Sequence, residues 1–108
     1  MTVPDFRATT VEELARRIRD RELTAEAVTA AALARIEALN PTYNAFVAVD
    51  ADSARAQALA IDLRIEAGTD VGPLAGIPIG VKDLEDAAGF PTVRGAMHLR
   101  DAAPAEVD

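Results

Sequence analysis

The sequence predicts an α/β fold class, mainly helical with short strands, and three observations carry that reading. Three segments place apolar residues at the i, i+3, i+4, i+7 spacing of one helix face. Each is preceded by a threonine or aspartate suited to cap a helix. Two brief apolar runs, bounded by turn residues, read as short buried strands.

The first helix is expected over residues 10–20. Thr10 followed by Glu13 fits a capping box. Val11, Leu14, Ala15 and Ile18 make its apolar stripe. A second helix begins after Thr24, with Glu26 in the first turn where the helix dipole favours an anion. Its stripe is Ala25, Val28, Ala32, Ile36 and Leu39, with Leu33 at the margin, and Asn40-Pro41 is expected to stop it. Phe46, Val47 and Val49 then suggest a buried strand over residues 44–50. Asp50 caps a third helix from Ala51 to Ala67, which Gly68 ends. Ala56, Leu59, Ala60, Leu63 and Ala67 are its expected inner face. After a turn-rich link, residues 77–82 form the second strand, with Ile77, Ile79 and Val81 on one face and Pro78, Gly80 and Lys82 on the other. Pro78 confines this strand to an edge or to its own start. Residues 85–108 read as loop with one short helical turn.

Composition narrows the function. A chain of 108 residues is one small domain at most. The net charge of −7 and pI of about 4.6 argue against nucleic-acid contact, which needs clustered Lys and Arg. Arg16, Arg17, Arg19 and Arg21 do cluster, but Glu12, Glu13, Asp20 and Glu22 interleave them, as on a solvated helix face. The absence of cysteine removes disulfides, zinc-thiolate sites and cysteine nucleophiles. No apolar run reaches the ~18 residues of a membrane span. The N-terminus lacks the basic and apolar regions of a secretory signal, so no membrane contact and a cytoplasmic location are expected.

Few residues carry chemistry. Ser53 is the sole serine and falls in the first turn of the third helix, while the lone His98 lies in the tail. Asp83, Glu85 and Asp86 place carboxylates close together, as expected by proximity alone in a chain with 18 acidic residues. Gly72, Gly76 and Gly80 recur every four residues, but no Gly-Lys-Ser/Thr follows to make a phosphate loop. Lys82 stands apart: it ends an apolar extended run, two residues after a glycine that leaves room for a neighbour to approach, although by pattern alone it reads foremost as a strand-end lysine that reaches solvent.

The run Gly72-Pro-Leu-Ala-Gly-Ile-Pro-Ile-Gly-Val-Lys-Asp-Leu84, followed by Asp86-Ala-Ala-Gly-Phe-Pro-Thr92 and Gly95, resembles the N-terminal part of the amidase-signature family. Leu23-Thr-Ala-Glu26, Ala32-Leu-Ala-Arg-Ile-Glu37 and Asn40-Pro-Thr-Tyr-Asn-Ala-Phe46 are similar to it as well, so the likeness runs from about Ala8 to the end. The resemblance implies a mixed sheet flanked by helices, of which residues 1–108 form a partial, incomplete domain. It implies hydrolysis of a small-molecule carboxamide by a Ser–cis-Ser–Lys triad, with no metal or organic cofactor. Lys82 matches the family's lysine, which acts as general base through a bridging serine upon a second, nucleophilic serine. A lysine with the ordinary pKa of ~10.4 is charged at neutral pH, so this role demands an apolar surrounding that disfavours the ammonium. Both triad serines lie in a downstream Gly- and Ser-rich signature that this sequence does not contain, so residues 1–108 alone are expected to be inactive. Val93 and Ala96 stand where many relatives carry hydroxyl residues. The resemblance equally accommodates an amidotransferase A-subunit releasing ammonia from glutamine, and leaves room for a homo-oligomer. A helical interaction module without catalysis is the remaining alternative, and it leaves Lys82 and its Gly-Pro frame without a use.

Overall fold

The computed structural model describes residues 1–108. Residues 1–78 and 79–108 form two compact units. The first holds three helices, α1 (Val11–Arg19), α2 (Ala25–Tyr43) and α3 (Ala51–Glu66), after a short 3-10 turn at Phe6–Ala8.

Side-chain caps set where each helix begins. The Thr10 hydroxyl accepts the Glu13 N–H at 3.1 Å. This is half of the expected capping box, because the Glu13 carboxylate pairs with Arg16 instead, at 2.8 Å. Thr24 accepts the Ala27 N–H and Asp50 the Ser53 N–H, both at 3.0 Å. α3 closes as the sequence indicates: Gly68 has φ +75°, its N–H donates to the Ile65 carbonyl at 3.0 Å, and the Thr69 N–H donates to that of Arg64, also at 3.0 Å. Those two bonds make the Schellman closure that a left-handed glycine permits.

α2 outruns its expected stop. Pro41 lies inside it, and the helix ends only at Asn44, which adopts the left-handed region at φ 51° and ψ 38°. In the last turn a proline forfeits one hydrogen bond, to a carbonyl that is already near the solvated end. The Asn40 side chain then clamps the exit, its Nδ2 donating to the Phe46 carbonyl and its Oδ1 accepting the Phe46 N–H, each at 2.9 Å.

Leu14, Ile18, Leu23, Ala25, Val28 and Ala58 form the core, with Val3, Phe6, Ile61, Ile65 and Ile77 packed around it. The α1 stripe is inward as expected apart from Val11, which is exposed. In α2, Ala25 and Val28 are buried, Ala32, Leu33 and Ile36 half-buried and Leu39 exposed. The α3 expectation is overturned. Its inner face is Ala54, Ala58, Ile61, Asp62 and Ile65, while Ala56, Leu59, Ala60, Leu63 and Ala67 are exposed. The physical reason is Asp62. Its Oδ1 accepts the Ala25 N–H at 2.7 Å and its Oδ2 the Glu26 N–H at 3.0 Å, so α3 turns a carboxylate toward the α2 N-terminus. That terminus offers unpaired N–H groups and a positive dipole end.

Neither expected strand forms. Residues 44–50 are exposed and irregular, because Phe46 spends both backbone groups on the Asn40 side chain rather than on a ladder. Residues 77–82 are likewise irregular: the Ile77 N–H donates to the Leu74 carbonyl at 3.2 Å, and Pro78 has no N–H to offer. A strand exists only through its partner, and neither run has one here. Gly76, just before the second run, is buried at φ +90° against Ala25 and Ile18.

None of the core residues lies in the second unit, which is tied by hydrogen bonds between backbone groups and to the carboxylates of Asp83, Asp86 and Asp108. Ala88 and Ala105 form an isolated parallel bridge, with the Gly89 N–H on the Ala105 carbonyl at 2.9 Å and the Ala105 N–H on that of Phe90 at 2.8 Å. Met97–Leu99 is the one short helical turn expected in this tail.

Candidate functional site

Lys82 is exposed and lies in irregular chain near the start of the second unit. Its carbonyl accepts the N–H of Leu84 at 2.7 Å and of Glu85 at 3.1 Å, which fixes the backbone into a tight turn just past it. The expected alternation of faces around Lys82 falls with the strand, and Ile79 and Val81 are exposed rather than lining one side.

Asp83 is the organising group of this segment. Its Oδ1 accepts the Val93 N–H at 2.7 Å and its Oδ2 the Gly95 N–H at 3.2 Å. These backbone bonds, that of Val93 foremost, hold its carboxyl below the usual carboxylate range, with Lys82 adding a smaller Coulombic pull. Between the two donors Arg94 takes a left-handed φ of 57°, and Gly95 follows at 70°. The Asp86 carboxylate instead accepts from the Thr92 hydroxyl. The acidic group at 83–86 thus divides its work between separate partners within one loop cluster.

Other sequence-marked residues lie apart from this loop. Ser53 is in the first turn of α3, its hydroxyl accepting from Gln57 Nε2 at 3.2 Å. His98 is exposed in the turn at Met97–Leu99. The arginine cluster is a neutralised surface: Arg16 pairs with Glu13 and Asp20 at 2.8 Å each and with Glu22 at 3.4 Å. Arg17 pairs with Glu22 at 3.2 Å, and Arg19 donates to the Pro73 carbonyl at 2.8 Å. A groove of about 550 Å³ is lined by Ile18 of α1, Leu23 of the turn after it, Glu26 of α2, and Leu59, Asp62 and Leu63 of α3. It contains none of the residues marked in the sequence for chemistry. No helix is long and apolar enough to cross a membrane.

What the sequence reading missed is the role of Asp83. The available signal was an aspartate directly after the marked lysine, with Val93 and Gly95 ten and twelve residues on; a bond to backbone N–H groups leaves no trace in the donor residue types.

A family model described as Amidase matches residues 27–108. Among curated relatives, the A-subunit of glutamyl-tRNA(Gln) amidotransferase from Acidothermus cellulolyticus is 46% identical, over 88% of this chain and 19% of its own length. Its counterpart from Streptomyces coelicolor is 45% identical with the same coverage. That from Nostoc punctiforme is 40% identical over 87% of this chain and 19% of its own length. The chain therefore spans about a fifth of the length of these relatives. Among solved structures, a vestigial protein complex that bears on the evolutionary origins of an s-triazine catabolic enzyme superposes with a TM-score of 0.87 at 37% identity. The match covers 93% of this chain and 22% of that one, and an inhibitor-bound form of the complex matches equally.

Proposed function

The chain belongs to the amidase family, and from that premise we propose that residues 1–108 are the lysine-bearing part of an enzyme that cleaves a carboxamide C–N bond. The observation that carries this reading is the Gly72–Leu84 run with Lys82 near its end, inside the matched residues. Lys82 acts as the general base. Through a bridging serine it draws the proton from a nucleophilic serine, which attacks the carbonyl carbon. The tetrahedral oxyanion collapses with departure of ammonia or amine, and water releases the acid from the acyl-enzyme. The proton taken by Lys82 returns through the bridging serine to the leaving nitrogen. Ser53 belongs to the first turn of α3, so both serines come from polypeptide outside these residues, and residues 1–108 alone are inactive. Lys82 is exposed within residues 1–108, so in this reading its contacts with the two serines come from polypeptide outside them.

A second reading within this chemistry has its own support. The relatives just described are glutamyl-tRNA(Gln) amidotransferase A-subunits at 40–46% identity, which favours glutamine as the amide and transfer of the released ammonia. The two readings separate in one experiment. The native gene product is assayed for ammonia release from glutamine and from a simple carboxamide such as benzamide. Activity on either, absent from a recombinant 1–108 chain, supports the amidase reading, and glutamine alone selects the amidotransferase. Inactivity on both substrates counts against the reading.

A further inference from the structure

We infer that Asp83 is a positioning residue for Lys82, holding the backbone from which the amine projects by fastening it to the loop at residues 93–95; this rests on the catalytic reading of Lys82. Lys82 lies in irregular chain, without helix or strand to define its direction. Exposed chain of this kind is ordinarily mobile, whereas a general base must meet its partner within hydrogen-bond reach. Two restraints oppose that mobility, one on each side of the peptide bond that joins the two residues. On one side, the Lys82 carbonyl accepts the Leu84 and Glu85 N–H groups at 2.7 and 3.1 Å. On the other, both oxygens of the Asp83 carboxylate are engaged, by Val93 at 2.7 Å and Gly95 at 3.2 Å. The first restraint is local and would form in any turn. The second is a cross-link between segments ten and twelve residues apart, and it is what ties the turn to the rest of its unit.

The loop is shaped to receive the carboxylate. Arg94 sits in the left-handed region at φ 57°, which is unfavourable for a residue with a Cβ. That conformation turns the flanking N–H groups of Val93 and Gly95 toward one acceptor. Only a carboxylate supplies two acceptor oxygens at this position. An asparagine of the same shape supplies one, and points an NH2 at the second N–H. A space-filling role would tolerate Asn and suffer from the longer Glu. Positioning through two acceptors predicts the reverse order.

The test has two arms. In the native gene product, backbone 15N order parameters are measured at Lys82 for wild type, Asp83→Asn and Asp86→Asn. The expected values at Lys82 are near ~0.85 in wild type and Asp86→Asn, and below ~0.6 in Asp83→Asn. A mobile Lys82 in wild type, or an unchanged one in Asp83→Asn, overturns the inference. In the active gene product, Asp83→Asn is expected to lower kcat by about a hundredfold with KM within about threefold, and Asp83→Glu to retain more activity than Asn. Tolerance of Asn with loss in Glu overturns it. If the wild-type product cleaves no amide, the amidase reading fails by itself, and the order parameters still decide whether Asp83 fixes Lys82.

Discussion

Asp62→Ala should unfold the helical unit well below the wild-type melting temperature, although the substitution removes a charge from a helix and adds its best former. The carboxylate binds two N–H groups at the α2 N-terminus, those of Ala25 and Glu26. Ala25 is 0% exposed, so its N–H gains no water when the acceptor is lost. A buried donor left without a charged acceptor costs about 2 kcal/mol, and the more accessible Glu26 N–H about 1 kcal/mol. The total of about 3 kcal/mol corresponds to roughly 15 °C in Tm for a unit of this size. Asp62→Asn keeps one acceptor and should lose about half as much. Thermal unfolding followed by far-UV circular dichroism measures both. If Asp62→Ala melts within ~3 °C of wild type, Asp62 is not what directs the inner face of α3, and the packing of α3 on α2 has another cause.

Three further outcomes are expected. Gly76→Ala should cost at least about 2 kcal/mol in urea unfolding, because its Cβ would lie 2.9 Å from that of Ala25 and 3.2 Å from Ile18, at a φ of +90°. Acid should release the loop at 93–95. The Asp83 carboxyl lies below its usual 3.8 when folded, so the restraint is complete above that value and is lost as pH falls through the lower, folded one. Exchange protection at Val93 and Gly95, taken relative to the intrinsic rate at each pH, should fall with a midpoint below 3.8, and Asp83→Asn should abolish that fall. The isolated chain should also bind a hydrophobic dye or self-associate, since Leu59, Leu63, Val47 and Ile79 are 52%, 57%, 73% and 81% exposed; a monomer with no dye signal would contradict this.

Local chemistry was the legible part of the fold. Thr10, Thr24, Asp50 and Gly68 mark helix ends through bonds to residues three positions away, so their spacing alone carries the information. Pro41 misled by one turn, because the stop comes from the left-handed Asn44 and the Asn40 clamp rather than from proline. The α3 face was misread because two overlapping stripes exist. The purely apolar one, Leu59 and Leu63 among it, is exposed, and the buried one contains Asp62, whose partners are 36 and 37 residues away. Both expected strands need partners that a single stretch of sequence does not name. In the candidate site Lys82 was singled out by the resemblance of the Gly72–Leu84 run, since its local pattern alone reads as a strand-end lysine. Asp83 was not, because its partners are backbone N–H groups, which every residue but proline carries.

The most direct measurement is amide hydrolysis by the native gene product with and without Lys82→Ala. A general base of this kind contributes typically ~10²–10⁴-fold, so kcat should fall by about a thousandfold or more while the variant keeps the wild-type circular dichroism spectrum. A folded Lys82→Ala protein that hydrolyses its amide within about threefold of the wild-type rate would show that Lys82 is not the base.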